Sequence, residues 1–250
     1  MSLLEAVDVR KFYGDYCALD GVTLTIEPGQ FVSIIGPNGA GKTTLVNVLT
    51  GLTAPTSGSV RFKGGDVAGA GVARLARLGI ARSFQLVSIF PALTVGETLA
   101  VAVLTRLRRT ARMLDRLRGD ARLRAAVAEA AELFGLAGKL GRPARTLPQG
   151  DKKLLDVASA FALRPEIIVM DEPTSGVSTA DKTAIMEVLV GAARRVGVKA
   201  IVQVEHDMDI VFGYSDRIVA LHQGRILADG PPDAIRADAH VVATVVGRRA

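Results

Sequence analysis

Gly36-Pro37-Asn38-Gly39-Ala40-Gly41-Lys42-Thr43-Thr44 fits the pattern G-x-x-x-x-G-K-[ST], the loop that wraps a run of phosphates. Its flanks carry as much weight as the match. Phe31-Val32-Ser33-Ile34-Ile35 leads in as a strand-like run, and Leu45-Val46-Asn47-Val48-Leu49 leads out as a helix-like one. In that order, glycines let the backbone turn its N–H groups inward, and the helix start adds partial positive charge. The candidate phosphate contacts are Gly36, Asn38, Gly39, Ala40, Gly41, Lys42, Thr43 and Thr44. Lys42 is expected to reach the β- and γ-phosphates, and Thr43 to ligate Mg²⁺. A Gly-rich turn that contains Lys by chance is the alternative, and the flanks argue against it.

Outward from the loop, strand-like runs recur at Val22–Ile26, Ser59–Phe62, Ile167–Met170 and Ala200–Val204. The last two are nearly continuous apolar, the pattern of a parallel strand covered on both faces. Helical stretches alternate with them, so the fold class is α/β with a parallel sheet. Runs near 4–10, 21–26 and 58–63 are separated by turns and predict a smaller antiparallel sheet. Residues 94–147 read as all helix. Thr94-Val95-Gly96-Glu97 is a capping box, followed by Leu104, Leu107, Ala111 and Leu114 at helical spacing. Gly119 interrupts, and Ala121 to Phe134 makes a second helix. A further helix starts at Ser178 and ends at Gly197. The expected division is an α/β core over 1–88 and 151–230, a helical subdomain over 89–150, and a helical tail over 231–250.

Composition narrows the class. The chain has 250 residues, 49% of them apolar, enough for a large core. No apolar run approaches 18 residues, and Met1-Ser2-Leu3-Leu4-Glu5 lacks the pattern of a signal peptide. The single cysteine, Cys17, excludes an internal disulfide and suits a reducing compartment. Mean hydropathy is +0.31, which suggests surface covered by partners, although abundant Ala and Val account for it equally well. Net charge is +6, and residues 96–146, with ten Arg and one Lys against five acids, carry all of it.

Ile167-Ile168-Val169-Met170-Asp171-Glu172-Pro173 is a buried strand ending in adjacent carboxylates. Successive strand residues face opposite ways, which predicts separate roles. Asp171 is expected to hold Mg²⁺ and Glu172 to polarise an attacking water as general base.

The order phosphate loop, Gln85, Leu147-Pro148-Gln149-Gly150-Asp151, Asp171-Glu172, His206 resembles the ATP-binding-cassette (ABC) ATPases over essentially the whole chain. Gly79-Ile80-Ala81-Arg82-Ser83-Phe84-Gln85 and Val204-Glu205-His206-Asp207-Met208 resemble the ATPase subunits of branched-chain amino acid importers. The resemblance implies a P-loop NTPase (RecA-like) core with an antiparallel β subdomain and an inserted helical subdomain. It implies ATP and Mg²⁺ as ligands, with Tyr13 stacking on adenine and Gln85 contacting Mg²⁺ and the attacking water. It also implies that His206 contacts the γ-phosphate and orders Glu172. Such sites are shared between two ATPase subunits, each presenting a signature segment to the other. Pro148, Gln149 and Gly150 take that place here, where the family has Leu-Ser-Gly-Gly-Gln or Leu-Ser-x-Gly-Asp. The serine hydroxyl is missing. Ser178 stands where Asp or Asn is usual, and Ser159 where Arg is common.

These departures suggest pairing with a different ATPase subunit whose signature is ordinary, although a homodimer stays open. The implied partners are transmembrane permease subunits, docked near Gln85 and Leu86 to Pro91 at the cytoplasmic face of the membrane. An ATP-binding regulatory subunit with weak turnover is the second reading. Arg106, Arg108, Arg109, Arg112, Arg116, Arg118, Arg122 and Arg124 read as a solvated helical face. Contact with anionic lipid head groups or an acidic partner loop is the functional alternative. Aromatic residues are absent from 91–133, against nucleic acid as a partner.

Overall fold

A computed structural model of the chain describes residues 2–83, 90–107 and 120–246. It divides into two compact units. The first comprises Met1–Ile80, Val169–Glu172 and Lys199–Ala250. In it β1 (Leu4–Tyr13) and β2 (Tyr16–Ile26) form an antiparallel hairpin. Then come β3 (Phe31–Ile35), α1 (Lys42–Leu49), β4 (Ser57–Phe62), β5 (Gly65–Asp66) and α2 (Val72–Leu78). A four-stranded sheet has the order β2-β1-β4-β5, the antiparallel sheet expected.

Six strands make the second sheet. They include β6 (Ile80–Ser83), β7 (Ile167–Asp171), β8 (Ala200–Val204), β9 (Arg217–His222) and β10 (Arg225–Gly230), in the order β10-β9-β3-β8-β7-β6. β3 lies parallel to both β8 and β9, with Ile34 opposite Val204 and Val219. Every residue of β3, β7 and β8 is buried. Full burial of a side chain such as Ile34 contributes about 1.5–3 kcal/mol. This is why these runs carry no polar alternation. β10 pairs antiparallel with β9 at the sheet edge. Its sequence, Arg-Ile-Leu-Ala-Asp-Gly, is half polar because its outer side has no strand neighbour. α7 (Met208–Tyr214) and α8 (Pro232–Ala237) contribute Val211 and Ile235 to a cluster with Ile35, Ile218 and Ala220.

The second unit comprises Ala81–Ile168 and Pro173–Val198. Its helices are α3 (Val95–Arg106), α4 (Ala121–Leu133), α5 (Gln149–Ala162) and α6 (Thr179–Val196). The Thr94–Glu97 capping box forms as read, with Glu97 N–H donating to Thr94 Oγ1 and Thr94 N–H to Glu97 Oε2. Asp120 caps α4 through the Arg122 and Leu123 amides. Phe134 meets Phe161 edge-on at 5.2 Å between centroids, joining the end of α4 to α5. Residues 94–147 are not helical throughout. Between α4 and α5 the chain makes two short 3-10 turns, Ala137–Lys139 and Ala144–Thr146, and Thr94 bridges to Pro143. Gly135, Gly138, Gly141 and Pro143 explain the break, since none favours a helix interior. Leu107 follows the last turn of α3, whereas Ala111 and Leu114 lie outside the described residues.

Candidate nucleotide site

The phosphate loop is built by exclusion. A Cβ on Gly36 would lie 2.3 Å from Leu221 O, and one on Gly41 2.6 Å from Ala18 O. Only glycine fits against β9 on one side and β2 on the other. Gly41 also holds φ 103° as the N-cap of α1, a conformation that favours glycine. The first α1 turn contains no acidic residue of its own, which leaves its positive end open to an anion. The first helical bond runs from Leu45 N–H to Gly41 O at 2.8 Å, which leaves the preceding amides without intrahelical partners. Lys42 is buried, and its Nζ donates to Gly36 O at 2.6 Å and Pro37 O at 2.9 Å. Burial pushes the Lys42 ammonium below the usual lysine range, while Glu172 and then Asp171 pull it back up. Thr43 is exposed in the first turn, and Thr44 is half-buried beside it. Ala40 N–H closes a turn on Pro37 O at 3.1 Å, and Asn38 and Gly39 are exposed at its tip.

The two acids differ more than pleat alternation predicts. Asp171 ends β7 with 2% of its surface exposed. Glu172 lies beyond the strand, with φ 49°. A non-glycine residue in this region costs about 1–3 kcal/mol and persists only where its surroundings impose it. Here Glu172 N–H donates to Val204 O at 2.9 Å, and Glu172 Oε1 stands 3.1 Å from His206 Nε2. Separation of the carboxylates therefore comes from a left-handed turn rather than from continuation of the strand. Glu205, named in the sequence only as a flank of His206, is buried and accepts the His206 amide at 2.8 Å. It sets the backbone from which the imidazole projects.

These residues suit Mg²⁺ and nucleotide. Among the described residues no group of three or more His, Cys, Asp or Glu could hold a cation alone. A cation at Asp171 would need Thr43 and phosphate oxygens to complete its shell, as Mg²⁺ in phosphate-loop proteins does. Tyr13 is exposed at the end of β1, in the same unit as the loop. Gln85 lies outside the described residues.

The signature segment belongs to the second unit. Pro148 is the N-cap of α5, with no side-chain cap on the helix, and Lys152 N–H makes its first bond to Pro148 O at 3.0 Å. The helix thus runs from Gln149 onward, with Pro148 just before its first turn. A Cβ on Gly150 would meet nothing nearer than Val177 Cγ1 at 3.9 Å. Asp151 is held by Lys139 at 2.6 Å. Ser178 caps α6 through the Asp181 amide, a task that Asp or Asn performs equally well. Ser159 bonds back to Leu155 O within α5. Of the arginines, Arg122 and Arg124 are exposed and Arg106 is half-buried. Burial and the neighbouring Arg164 lower the pKa of Arg106, while Glu129 acts in the opposite direction. Arg106 is therefore not part of a freely solvated face, and the other five lie outside the described residues.

The profile of the ABC transporter family matches residues 19–175. The chain belongs to the ABC transporter family. It is 36% identical to the high-affinity branched-chain amino acid transport ATP-binding protein LivG of Escherichia coli (strain K12), over 98% of each chain. Identity to BraF of Pseudomonas aeruginosa, described in the same words, is 35% over the same shares. A nucleotide-free ATP-binding cassette from an ABC transporter superposes with TM-score 0.83 at 29% identity, covering 97% of this chain and 98% of the other. A dimeric cassette bound to ADP and phosphate gives 0.78 at 26% identity, covering 92% and 98%. The P-loop NTPase fold and the ATPase activity expected from the resemblance are those of this family. ABC ATPases dimerise and work with transmembrane permease subunits.

Proposed function

We propose that this ABC cassette hydrolyses ATP to drive uptake of branched-chain amino acids or a related small polar or organic-acid solute. The observation that carries the reading is the convergence of the Gly36–Thr44 loop with the Glu172–His206 pair in one unit. Lys42 and the α1 amides bind and orient the β- and γ-phosphates. Asp171 and Thr43 are the groups that would hold Mg²⁺, which when bound neutralises phosphate charge. Glu172 takes the proton of the attacking water, and His206 Nε2 holds the Glu172 carboxylate in place. Gln85 would contact Mg²⁺ and the attacking water, and Tyr13 stacks on the base. ATP bridges two cassettes, and hydrolysis releases them. Differential affinity for closed and open states is what moves the permease. Residues 89–150 act as the signature subdomain, and permease subunits dock near Gln85 and Leu86 to Pro91, a stretch in which Phe90 is exposed. Among the described residues no helix is long and apolar enough to cross a membrane. The cassette acts as a peripheral subunit at the cytoplasmic face, beside its permease. Reconstitution with its co-purifying permease and a solute-binding protein is expected to give ATP-dependent leucine uptake. ATP hydrolysis without uptake of any branched-chain amino acid would remove the substrate assignment.

Pro148 favours a partner of different sequence. A donor in such a buried site is worth about 3–4 kcal/mol of transition-state stabilisation, and Pro148 supplies neither hydroxyl nor amide. One composite site would use a partner's ordinary signature and the other Pro148, Gln149 and Gly150. In a homodimer, Pro148→Ser is expected to raise steady-state turnover, by up to on the order of 10²–10³-fold. Unchanged or lower turnover would show that the α5 amides already suffice. The same observation supports the second reading, a weakly hydrolysing regulatory subunit. ATPase activity of the native chain, alone and with its partner, separates the two.

A further inference from the structure

Phe12, Tyr13 and Tyr16 crowd the tip of the β1–β2 hairpin, 40%, 48% and 60% exposed. Tyr13 and Tyr16 are direct partners in the antiparallel register, so their side chains leave the same face. Lys11, two residues before Tyr13, places its Nζ 5.1 Å from the Tyr13 ring centroid. The same Nζ donates to Ala54 O at 2.9 Å. The neighbouring backbone is tied to the same segment, with Phe12 N–H on Thr56 Oγ1 at 3.0 Å and Thr56 N–H on Arg10 O at 2.8 Å. The ammonium is therefore shared between the Ala54 carbonyl and the Tyr13 ring.

We propose that Lys11 is a positioning residue for the adenine ring, bracing one face of Tyr13 so that the other is presented to the base. The inference rests on Tyr13 being the adenine platform. An exposed tyrosine samples several rotamers, and stacking a base on it costs that freedom. A cation over one face holds the ring before the nucleotide arrives. The same cation draws π-electron density from the ring, which favours an electron-rich purine on the opposite face. Stacking by itself distinguishes bases poorly, since every base has a π-face. The brace thus supplies affinity for the base, not for the phosphates.

The test compares calorimetric binding of ATP and of inorganic triphosphate, both with Mg²⁺, to native chain, Lys11→Met, Lys11→Arg and Tyr13→Ala. An exposed cation–π contact predicts that Lys11→Met weakens ATP binding about two- to fivefold. Triphosphate affinity is expected to be unchanged, and Lys11→Arg, which keeps a cation for the ring, to bind ATP nearly as the native chain does. Equal losses for ATP and triphosphate in Lys11→Met would overturn the proposal in favour of a general charge or folding role. Native ATP affinity in Lys11→Met, with a loss in Tyr13→Ala, would overturn the brace and leave the platform. Native ATP affinity in Tyr13→Ala would remove the platform itself, and the brace with it.

Discussion

Glu172→Gln is expected to bind ATP nearly as the native chain does and to hydrolyse it on the order of 10²–10⁴ times more slowly, the usual contribution of a positioned general base. Glutamine has the same shape and still offers His206 Nε2 an oxygen, so the 3.1 Å contact can persist. It cannot accept the proton of the attacking water. The left-handed backbone at position 172 is imposed through Val204 O by a main-chain amide, which the substitution leaves in place. Geometry is thus retained and only the basicity is lost. Single-turnover ATPase measured beside equilibrium ATP binding separates the two quantities. Hydrolysis that survives largely intact would assign the proton to another group.

Lys42→Ala is expected to weaken ATP binding by on the order of 10- to 100-fold, the range for a lost charge-assisted hydrogen bond. Two effects act together. The ammonium that would meet the phosphates disappears, and the carbonyls of Gly36 and Pro37 lose the donor that closes the loop. Glu172 and Asp171 also lose the ammonium that their charges favour. Thermal unfolding of the same variant distinguishes a damaged site from a damaged fold. A retained midpoint with lost binding is the expected combination.

The phosphate loop was legible because its constraint is local. Gly36 and Gly41 are demanded by neighbouring carbonyls, and the strand before and the helix after carry their own periodicities. β3, β7 and β8 were legible as nearly continuous apolar runs because each is covered on both faces. The caps at Thr94 and Ser178 were legible as side-chain patterns. What escaped the sequence depends on contacts distant along the chain. The φ of Glu172 is fixed by Val204, more than thirty residues on, and no propensity of Glu foretells it. β9 and β10 pair across a tight turn at the sheet edge, where polar residues dilute the strand signal. Lys11 is unremarkable until Ala54 and Tyr13 are seen to share its ammonium. Pro148 was recognisable from the sequence as a departure from the family's signature.

The most direct test of the account is calorimetric titration of native chain and Lys42→Ala with ATP in the presence of Mg²⁺, each shown to be folded. Saturable binding of one nucleotide per native chain, strongly weakened in the variant, is the predicted result. No heat of binding from the folded native chain, or equal binding by both, would contradict the claim that the Gly36–Thr44 loop grips the nucleotide.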